Sequence, residues 1–216
     1  GGNDSADTAF KVSQISKKLG YPINCIAIPK TVDNDLAVTD CCPGFGSAAK
    51  YIATSTLEAS LDVASMCETS TKVFILEVMG RHAGWMAASS ALARNNKNDP
   101  PHIILMPEII FNQKKFLSKT KDIVKKNGYC VIVTSEGIKN NKGKFLAESS
   151  TKDAFGHTQL GGVAPYLSSL IYKKLKLKNH WAVSDYLQRS ARHISSKTDL
   201  LHAEAVGIHA VKYAVN

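Results

Sequence analysis

The chain has 216 residues, of which 44% are hydrophobic and 21% charged, a balance typical of a globular protein with a well-buried core. The net charge is +9, but the lysines form short clusters without interleaved aromatic residues, so no nucleic acid partner is expected. No apolar run reaches the roughly 18 residues of a membrane-spanning helix, and the five cysteines include no CxxC pair. These features argue against a membrane protein or a zinc site and favour a cytoplasmic location.

Apolar and polar segments alternate in a pattern typical of successive helices and strands. Helices are predicted at about 7–19, 47–66, 83–94, 113–126, 160–175 and 199–215, and strands at 23–28, 72–78, 103–106 and 129–134. Gly, Asn and Lys dominate residues 137–149, which predicts a surface loop. Strands that are almost continuously apolar, set between helices, predict an α/β fold with a mainly parallel sheet covered on both faces.

The loops after the predicted strands carry the chemically distinctive residues. In parallel α/β folds, ligands bind beyond the carboxyl ends of the strands. Such loops are predicted at 29–36, 79–82, 107–111 and 135–138, and we expect them to share one crevice. The opening segment, GGNDS, has the composition of another such loop, but no strand precedes it. We therefore expect that amino-terminal strands of the sheet are missing from this chain.

The most distinctive motif is PKTVDND at residues 29–35. It places two carboxylates two residues apart, beside a Lys and a Thr. One carboxylate can accept a proton, the other can hold a metal ion, and the ammonium group can neutralise phosphate charge. Because Asp-Asn-Asp is also ordinary turn chemistry, the motif alone leaves a purely structural role open.

Four further segments could contact a phosphorylated ligand. Residues 1–5 combine glycines with a helix start that favours an anion, and the motif MGRHAGW at 79–85 offers the planar fork of Arg81. Glu108 follows a predicted strand, and Arg189 ends the motif YLQR. Each also has an ordinary structural interpretation. Residues 1–5 can be a common turn, Glu108 can interact with a helix dipole from the first turn of a helix, and Arg81 and Arg189 can be surface residues. His157 is interpreted as a turn histidine rather than as a catalyst.

Taken in order, these motifs resemble the phosphofructokinase family, in particular its pyrophosphate-dependent branch. The resemblance runs from residue 1 to 216 and depends most on the motifs at 29–35 and 79–85. It implies two doubly wound Rossmann-like subdomains, with 1–45 and 190–216 on the phosphoryl-donor side and 46–189 on the sugar-phosphate side. It also implies a homo-oligomer (dimer or tetramer) that uses Mg²⁺ and phosphorylates fructose 6-phosphate at its 1-hydroxyl.

The resemblance implies roles for individual residues. Asp33 matches the catalytic base, and Thr31, Asp35 and Arg81 match its catalytic neighbours. The implied sugar-phosphate ligands are Thr31, Val32, Asp33, Lys72, Met79, Gly80, Arg81, Glu108, Tyr186, Leu187, Gln188 and Arg189. Lys72 falls where family members often have an Arg that reaches a 6-phosphate across a subunit interface. Nearby Lys30 is expected to keep Asp33 ionised.

Two positions bear on the phosphoryl donor. ATP-dependent family members carry Gly where this chain has Asp4 and Lys30. A side chain at position 4 would crowd a nucleotide, whereas Lys30 can pair with small, highly charged pyrophosphate. The implied donor site is therefore Gly2, Asp4 and Lys30, with pyrophosphate as the donor, and the implied metal site is Asn3 with Asp35.

Three departures from the family pattern keep other functions open. Asn3 replaces a usual Asp, His180 a usual Arg, and Asp185 a usual Gly. These changes are compatible with a catalytically silent subunit that binds sugar phosphate, although the intact Asp33 and Arg81 oppose that interpretation. An ATP-dependent phosphofructokinase is the other alternative.

Overall fold

The computed structural model describes residues 1–152 and 158–215 of the chain, so His157 lies outside the described residues. The strands are β1 (Val73–Val78), β2 (Ile103–Leu105), β3 (Cys130–Ser135), β4 (Glu148–Lys152), β5 (Thr158–Leu160) and β6 (Asn179–Val183). The α-helices are α1 (Asn3–Lys18), α2 (Phe45–Met66), α3 (Trp85–Ser89), α4 (Gln113–Asn127), α5 (Val163–Leu175), α6 (Leu187–Ser190) and α7 (Lys197–Val215). Short 3₁₀ turns lie at Ser90–Ala93 and Arg192–Ile194.

A four-stranded parallel sheet with strand order β2-β3-β1-β6 forms the centre of the fold. On one face, Ile75 and Ile132 pack against α5 and against Phe116 of α4. On the other face, Leu76 and Val133 pack against α2 and α3. The prediction of an α/β fold with a parallel sheet covered on both faces is therefore confirmed. β4 and β5 form a separate antiparallel pair.

The predicted strand at 23–28 is wrong. Among residues 1–152 and 158–215, no strand pairs with this segment. Ile23, Ile26 and Ile28 remain 46%, 40% and 37% exposed. The apolar pattern predicts a strand, but a strand forms only where a neighbour supplies hydrogen-bond partners.

Other predicted boundaries change for local reasons. The helix predicted at 83–94 forms α3 and continues as a 3₁₀ turn, and α5 begins at Val163 after two glycines with positive φ. The predicted loop at 137–149 ends in β4, which begins at Glu148. β6 was not predicted, because it is a short edge strand whose side chains are mostly exposed.

Helix α4 is capped at both ends. At the start of α4, the side chain of Asn112 accepts a hydrogen bond from Lys115 N at 3.0 Å, and Gly128 ends the helix with φ 85°. No helix among the described residues is long and apolar enough to cross a membrane.

Candidate active site

The candidate site lies at the carboxyl ends of the sheet strands. The turn 79–84 follows β1, residues 135–137 span the end of β3 and the loop after it, and residues 184–189 follow β6. Hydrogen bonds from Met79 to Gln188 and from Gly80 to Glu136 join these three segments. Two loops of the predicted crevice, 79–82 and 135–138, are thus joined at one edge of the sheet, where the segment after β6 meets them because parallel strands end at the same edge.

The turn at 79–84 requires glycine. Gly80 has φ 128°, and a Cβ there would lie 2.6 Å from the carbonyl oxygen of Ala83. Ser135 donates its hydroxyl hydrogen to Gly80 O. The main chain can therefore pass close to β3 and place Arg81 at the edge of the sheet.

Glu108 is brought to the same turn. Its Oε1 accepts a hydrogen bond from Gly84 N at 2.7 Å, while the residue as a whole is exposed. A Cβ at Gly84 would lie 2.9 Å from Met106 Cβ as well as 2.6 Å from Glu108 Oε2, so glycine allows this close approach. The carboxylate is thus held beside the predicted sugar site with part of its surface open to solvent.

The segment 186–189 contributes one buried and three exposed side chains. Gln188 is 1% exposed: its Oε1 accepts from Met79 N at 3.3 Å, and its Nε2 donates to Asp185 O at 3.0 Å. Tyr186 and Leu187 are 61% and 62% exposed, and the Arg189 guanidinium lies 4.1 Å from the centre of the Tyr186 ring. Gln188 thus joins two loops, whereas Arg189 is available to a ligand.

The loop at 29–36 is fixed by Asn34. This residue is 8% exposed and has φ 52°, a left-handed conformation that Asn tolerates. Its Oδ1 accepts from Cys42 N at 2.8 Å, and its Nδ2 donates to Asp40 O at 3.0 Å. The turn chemistry and the functional interpretation of the motif are therefore compatible, because Asn34 orients the carboxylates on either side of it.

Neighbouring residues complete this loop. Val32 packs against the core beside α2, and Asp33 N donates to Thr31 Oγ1 at 3.2 Å. Asp33 is left half-buried within a fixed loop.

Asp33 lies among charges from several segments. Burial, followed by the negative charge of Asp35, raises its pKa above the ordinary value. Arg81, then Arg189 and Lys30, act in the opposite direction on the same pKa. Lys30 thus favours the ionised form of Asp33, as expected, but burial has the largest effect on the pKa and both arginines act more strongly than Lys30. The structure nevertheless brings all five charged groups together.

The residues predicted to bind the donor and the metal lie beside this loop. Lys30 N donates to Gly1 O at 3.2 Å, and Gly2 precedes the first turn of α1, which contains Asp4. Asn3 Nδ2 donates to Asp35 Oδ2 at 3.0 Å.

The described residues contain no cluster of three His, Cys, Asp or Glu side chains that could hold a metal. Mg²⁺, however, commonly binds through one or two protein oxygens plus water and substrate phosphates. The carboxylate of Asp35 and the carboxamide oxygen of Asn3 fit that kind of site.

Lys72 is not brought to the site. It precedes β1, so it lies about 20 Å from the carboxyl end of that strand, given 3.3 Å per residue. Its ammonium group donates to the carbonyl oxygens of Cys67 and Glu68 after α2. A role toward a neighbouring subunit stays a prediction.

Sequence reasoning missed Glu136. It named the loop 135–138 as part of the crevice but assigned no role to this residue. Burial raises the Glu136 pKa to about 7; the Gly80 amide lowers it, and the negative charge of Asp33 raises it further. The only available signal was a carboxylate directly after a buried strand.

Comparison with known proteins identifies the family. The phosphofructokinase family model matches residues 1–214. The chain belongs to the phosphofructokinase family. It is 62% identical over 216 residues to a pyrophosphate–fructose 6-phosphate 1-phosphotransferase from Halomonas elongata, covering all of this chain and 52% of that protein. The chain spans about half the length of the curated relatives it matches.

Solved structures support the same assignment. A pyrophosphate-dependent phosphofructokinase from Marinobacter aquaeolei has a TM-score of 0.86 and 58% identity, over 100% of this chain and 50% of that one. One from Nitrosospira multiformis has a TM-score of 0.87 and 58% identity, over 100% of this chain and 51% of that one.

Proposed function

We propose that this phosphofructokinase-family chain forms part of a pyrophosphate-dependent 6-phosphofructokinase. The reaction moves a phosphoryl group from pyrophosphate to the 1-hydroxyl of fructose 6-phosphate, giving fructose 1,6-bisphosphate reversibly. The observation that carries the proposal is the position of Asp33, half-buried beside Asp35 and near three cationic side chains. The printed names of the relatives at 57–62% identity support pyrophosphate as the donor.

Asp33 is the proposed general base. A base works best when its pKa lies near the working pH, and burial shifts the Asp33 pKa in that direction. The fixed loop, held by Asn34, would place the carboxylate against the sugar 1-hydroxyl and accept its proton. Thr31, which is hydrogen bonded to Asp33 N, would contact the sugar or the transferred group.

The arginines provide the positive charge that phosphoryl transfer needs. Arg81, on the turn after β1, would face the charge developing on the transferred group. Arg189, stacked on Tyr186, would hold the 6-phosphate, and Glu108 would accept hydrogen bonds from sugar hydroxyls. Met79 and Gly80 would line the sugar site through their main chain.

The donor side is proposed to include Gly2, Asp4 and Lys30. The amino end of α1 favours an anion, and Lys30 adds a full positive charge beside it. Residues 1–45 and 190–216 would form the donor side, and 46–189 the sugar side. A hydrogen bond of 2.9 Å from Gly44 N to Asp199 Oδ1 supports the association of residues 1–45 with residues 190–216.

Asn3 and Asp35 would hold Mg²⁺, which when bound supplies charge neutralisation to the phosphates. We also propose that the functional molecule is a homo-oligomer, in which Lys72 approaches a 6-phosphate bound to a neighbouring subunit.

The test is a coupled assay on the full-length protein with fructose 6-phosphate, Mg²⁺ and either pyrophosphate or ATP. We expect turnover with pyrophosphate at least about 100-fold above that with ATP, and a loss of about 10- to 100-fold in kcat/KM for pyrophosphate in Lys30→Gly, because a charge-assisted phosphate contact is removed. Lys18→Ala, an exposed lysine at the end of α1, is the charge-matched control.

Two results would contradict the proposal. Turnover with ATP alone would show that Asp4 and Lys30 do not select the donor. Binding of fructose 6-phosphate without turnover with either donor would favour a silent sugar-phosphate-binding subunit.

A further inference from the structure

Glu136 links the ends of the two central strands. Its main-chain N–H donates to Val78 O at 3.0 Å, and its Oε1 accepts from Gly80 N at 3.3 Å. One residue therefore contacts both the last residue of β1 and the turn that follows it. Gln188 holds the preceding amide, that of Met79, from the opposite side.

The residues on either side of Glu136 pack closely against the same turn. Ser135 Oγ donates to Gly80 O and accepts from Gly137 N at 3.2 Å. A Cβ at Gly137 would collide with the carbonyl oxygen of Arg81. The position of residues 80 and 81 is thus coupled to the position of residues 135–137.

The carboxyl group of Glu136 also lies among charged side chains of the site. Arg81 on the turn lies near it with opposite charge, whereas Asp33 and Glu77 lie near it with the same charge. A half-buried carboxylate in this position is electrostatically unfavourable unless its hydrogen bonds compensate. The hydrogen bond from Gly80 N supplies such compensation and ties the carboxyl group to the turn.

We propose that Glu136 is a positioning residue that holds the Gly80 amide and thereby sets Arg81 opposite Asp33. The inference rests on the proposed function, because Arg81 matters to catalysis only if phosphoryl transfer occurs there. Since the 6-phosphate would be held mainly by the 186–189 segment, loss of this contact should affect kcat more than the KM for fructose 6-phosphate.

Two conservative variants of the full-length protein separate reach from charge. Glu136→Gln keeps the acceptor oxygen near Gly80 N without the charge, and Glu136→Asp keeps the charge but is one methylene shorter. We expect Glu136→Asp to lower kcat about 10- to 100-fold with KM within about threefold, and Glu136→Gln to retain at least about a third of wild-type kcat. Glu58→Ala, an exposed residue on α2, is the control and should match the wild type.

A second readout does not depend on turnover. Amide hydrogen exchange at Gly80 should be at least about 10-fold faster in Glu136→Asp than in the wild type, and close to the wild type in Glu136→Gln. Wild-type exchange at Gly80 in Glu136→Asp, wild-type kcat in that variant, or a Gln variant as impaired as the Asp variant would each overturn the positioning role. A wild-type protein that transfers no phosphate would instead overturn the proposed function.

Discussion

Asp33 and Gln188 illustrate what the sequence and the structure each reveal about a single residue. Asp33 was identified from its motif, and the structure surrounds it with charges from three separate segments. Gln188 was predicted as a sugar-phosphate ligand on the same basis, but its buried carboxamide is hydrogen bonded to main-chain atoms of Met79 and Asp185. A motif therefore indicates that a residue belongs to a site, whereas burial and partners indicate whether it faces the ligand or supports the site.

Asp185 provides a prediction at the scale of one residue. It has φ 36°, a positive value that glycine adopts with less strain, and it lies next to the segment that carries Arg189. We expect Asp185→Gly to raise the free energy of unfolding by about 0.5–1 kcal/mol and to lower the KM for fructose 6-phosphate, because a negative charge is removed. Urea unfolding and steady-state kinetics measure the two effects.

Lys176→Gly is the matched control for that experiment. Lys176 has φ 56° and ends α5, away from the candidate site. It should raise stability without changing KM. An unchanged or higher KM in Asp185→Gly would show that the Asp185 charge does not oppose sugar-phosphate binding.

At the scale of elements, α2 depends on a residue distant in sequence. Asp199 on α7 is 6% exposed and accepts hydrogen bonds from Gly44 N at 2.9 Å, Ser47 N at 3.1 Å and Ser47 Oγ at 2.6 Å. The first residues of α2 supply no side-chain cap of their own. Sequence reading predicted both helices but not this contact, because a cap provided by another helix leaves no local pattern.

We expect Asp199→Ala to lower the free energy of unfolding by about 2 kcal/mol, since it leaves the amides at the start of α2 without an acceptor. Chemical denaturation measures the loss. Asp62→Ala, an exposed residue on α2, should change stability by less than about 0.5 kcal/mol. Equal effects of the two substitutions would refute the capping role.

The pairing of β2 with β3 should be sensitive to acid. His102 Nδ1 accepts a hydrogen bond from Val131 N at 3.0 Å, which requires a neutral ring. Burial, followed by the positive charge of Arg94, lowers the His102 pKa to about 4. Because the folded-state pKa lies below the ordinary value, the contribution to stability is present above about pH 6.5 and is lost as pH falls toward 4.

Urea unfolding at pH 7 and pH 4 tests this contribution. The wild type should lose more stability on acidification than His102→Asn, whose Oδ1 can accept the same hydrogen bond without titrating. The expected difference is on the order of 1 kcal/mol after allowance for solvent screening. Equal losses in the two proteins would show that His102 does not titrate in this range.

At the scale of the whole molecule, the sequence predicted the centre of the fold better than its margins. The apolar runs of β1 and β3 were correctly predicted as strands of a sheet covered on both faces, because burial on both faces leaves a continuous signal. β6 and the segment 23–28 were misjudged, since their state depends on whether a neighbouring strand is present. The crevice followed from the parallel topology, but the contacts of Glu136 and Asp199 required three-dimensional packing.

The most direct test of the central claim compares binding and turnover in Asp33→Asn. In the full-length protein with pyrophosphate and Mg²⁺, we expect kcat to fall by at least about 10³-fold, because the proposed proton acceptor is lost. Calorimetry should show fructose 6-phosphate binding within about threefold of wild type, and Asp40→Asn, an exposed residue in the following loop, should match wild type in both measurements. A kcat within tenfold of wild type in Asp33→Asn would contradict the assignment of Asp33 as the general base.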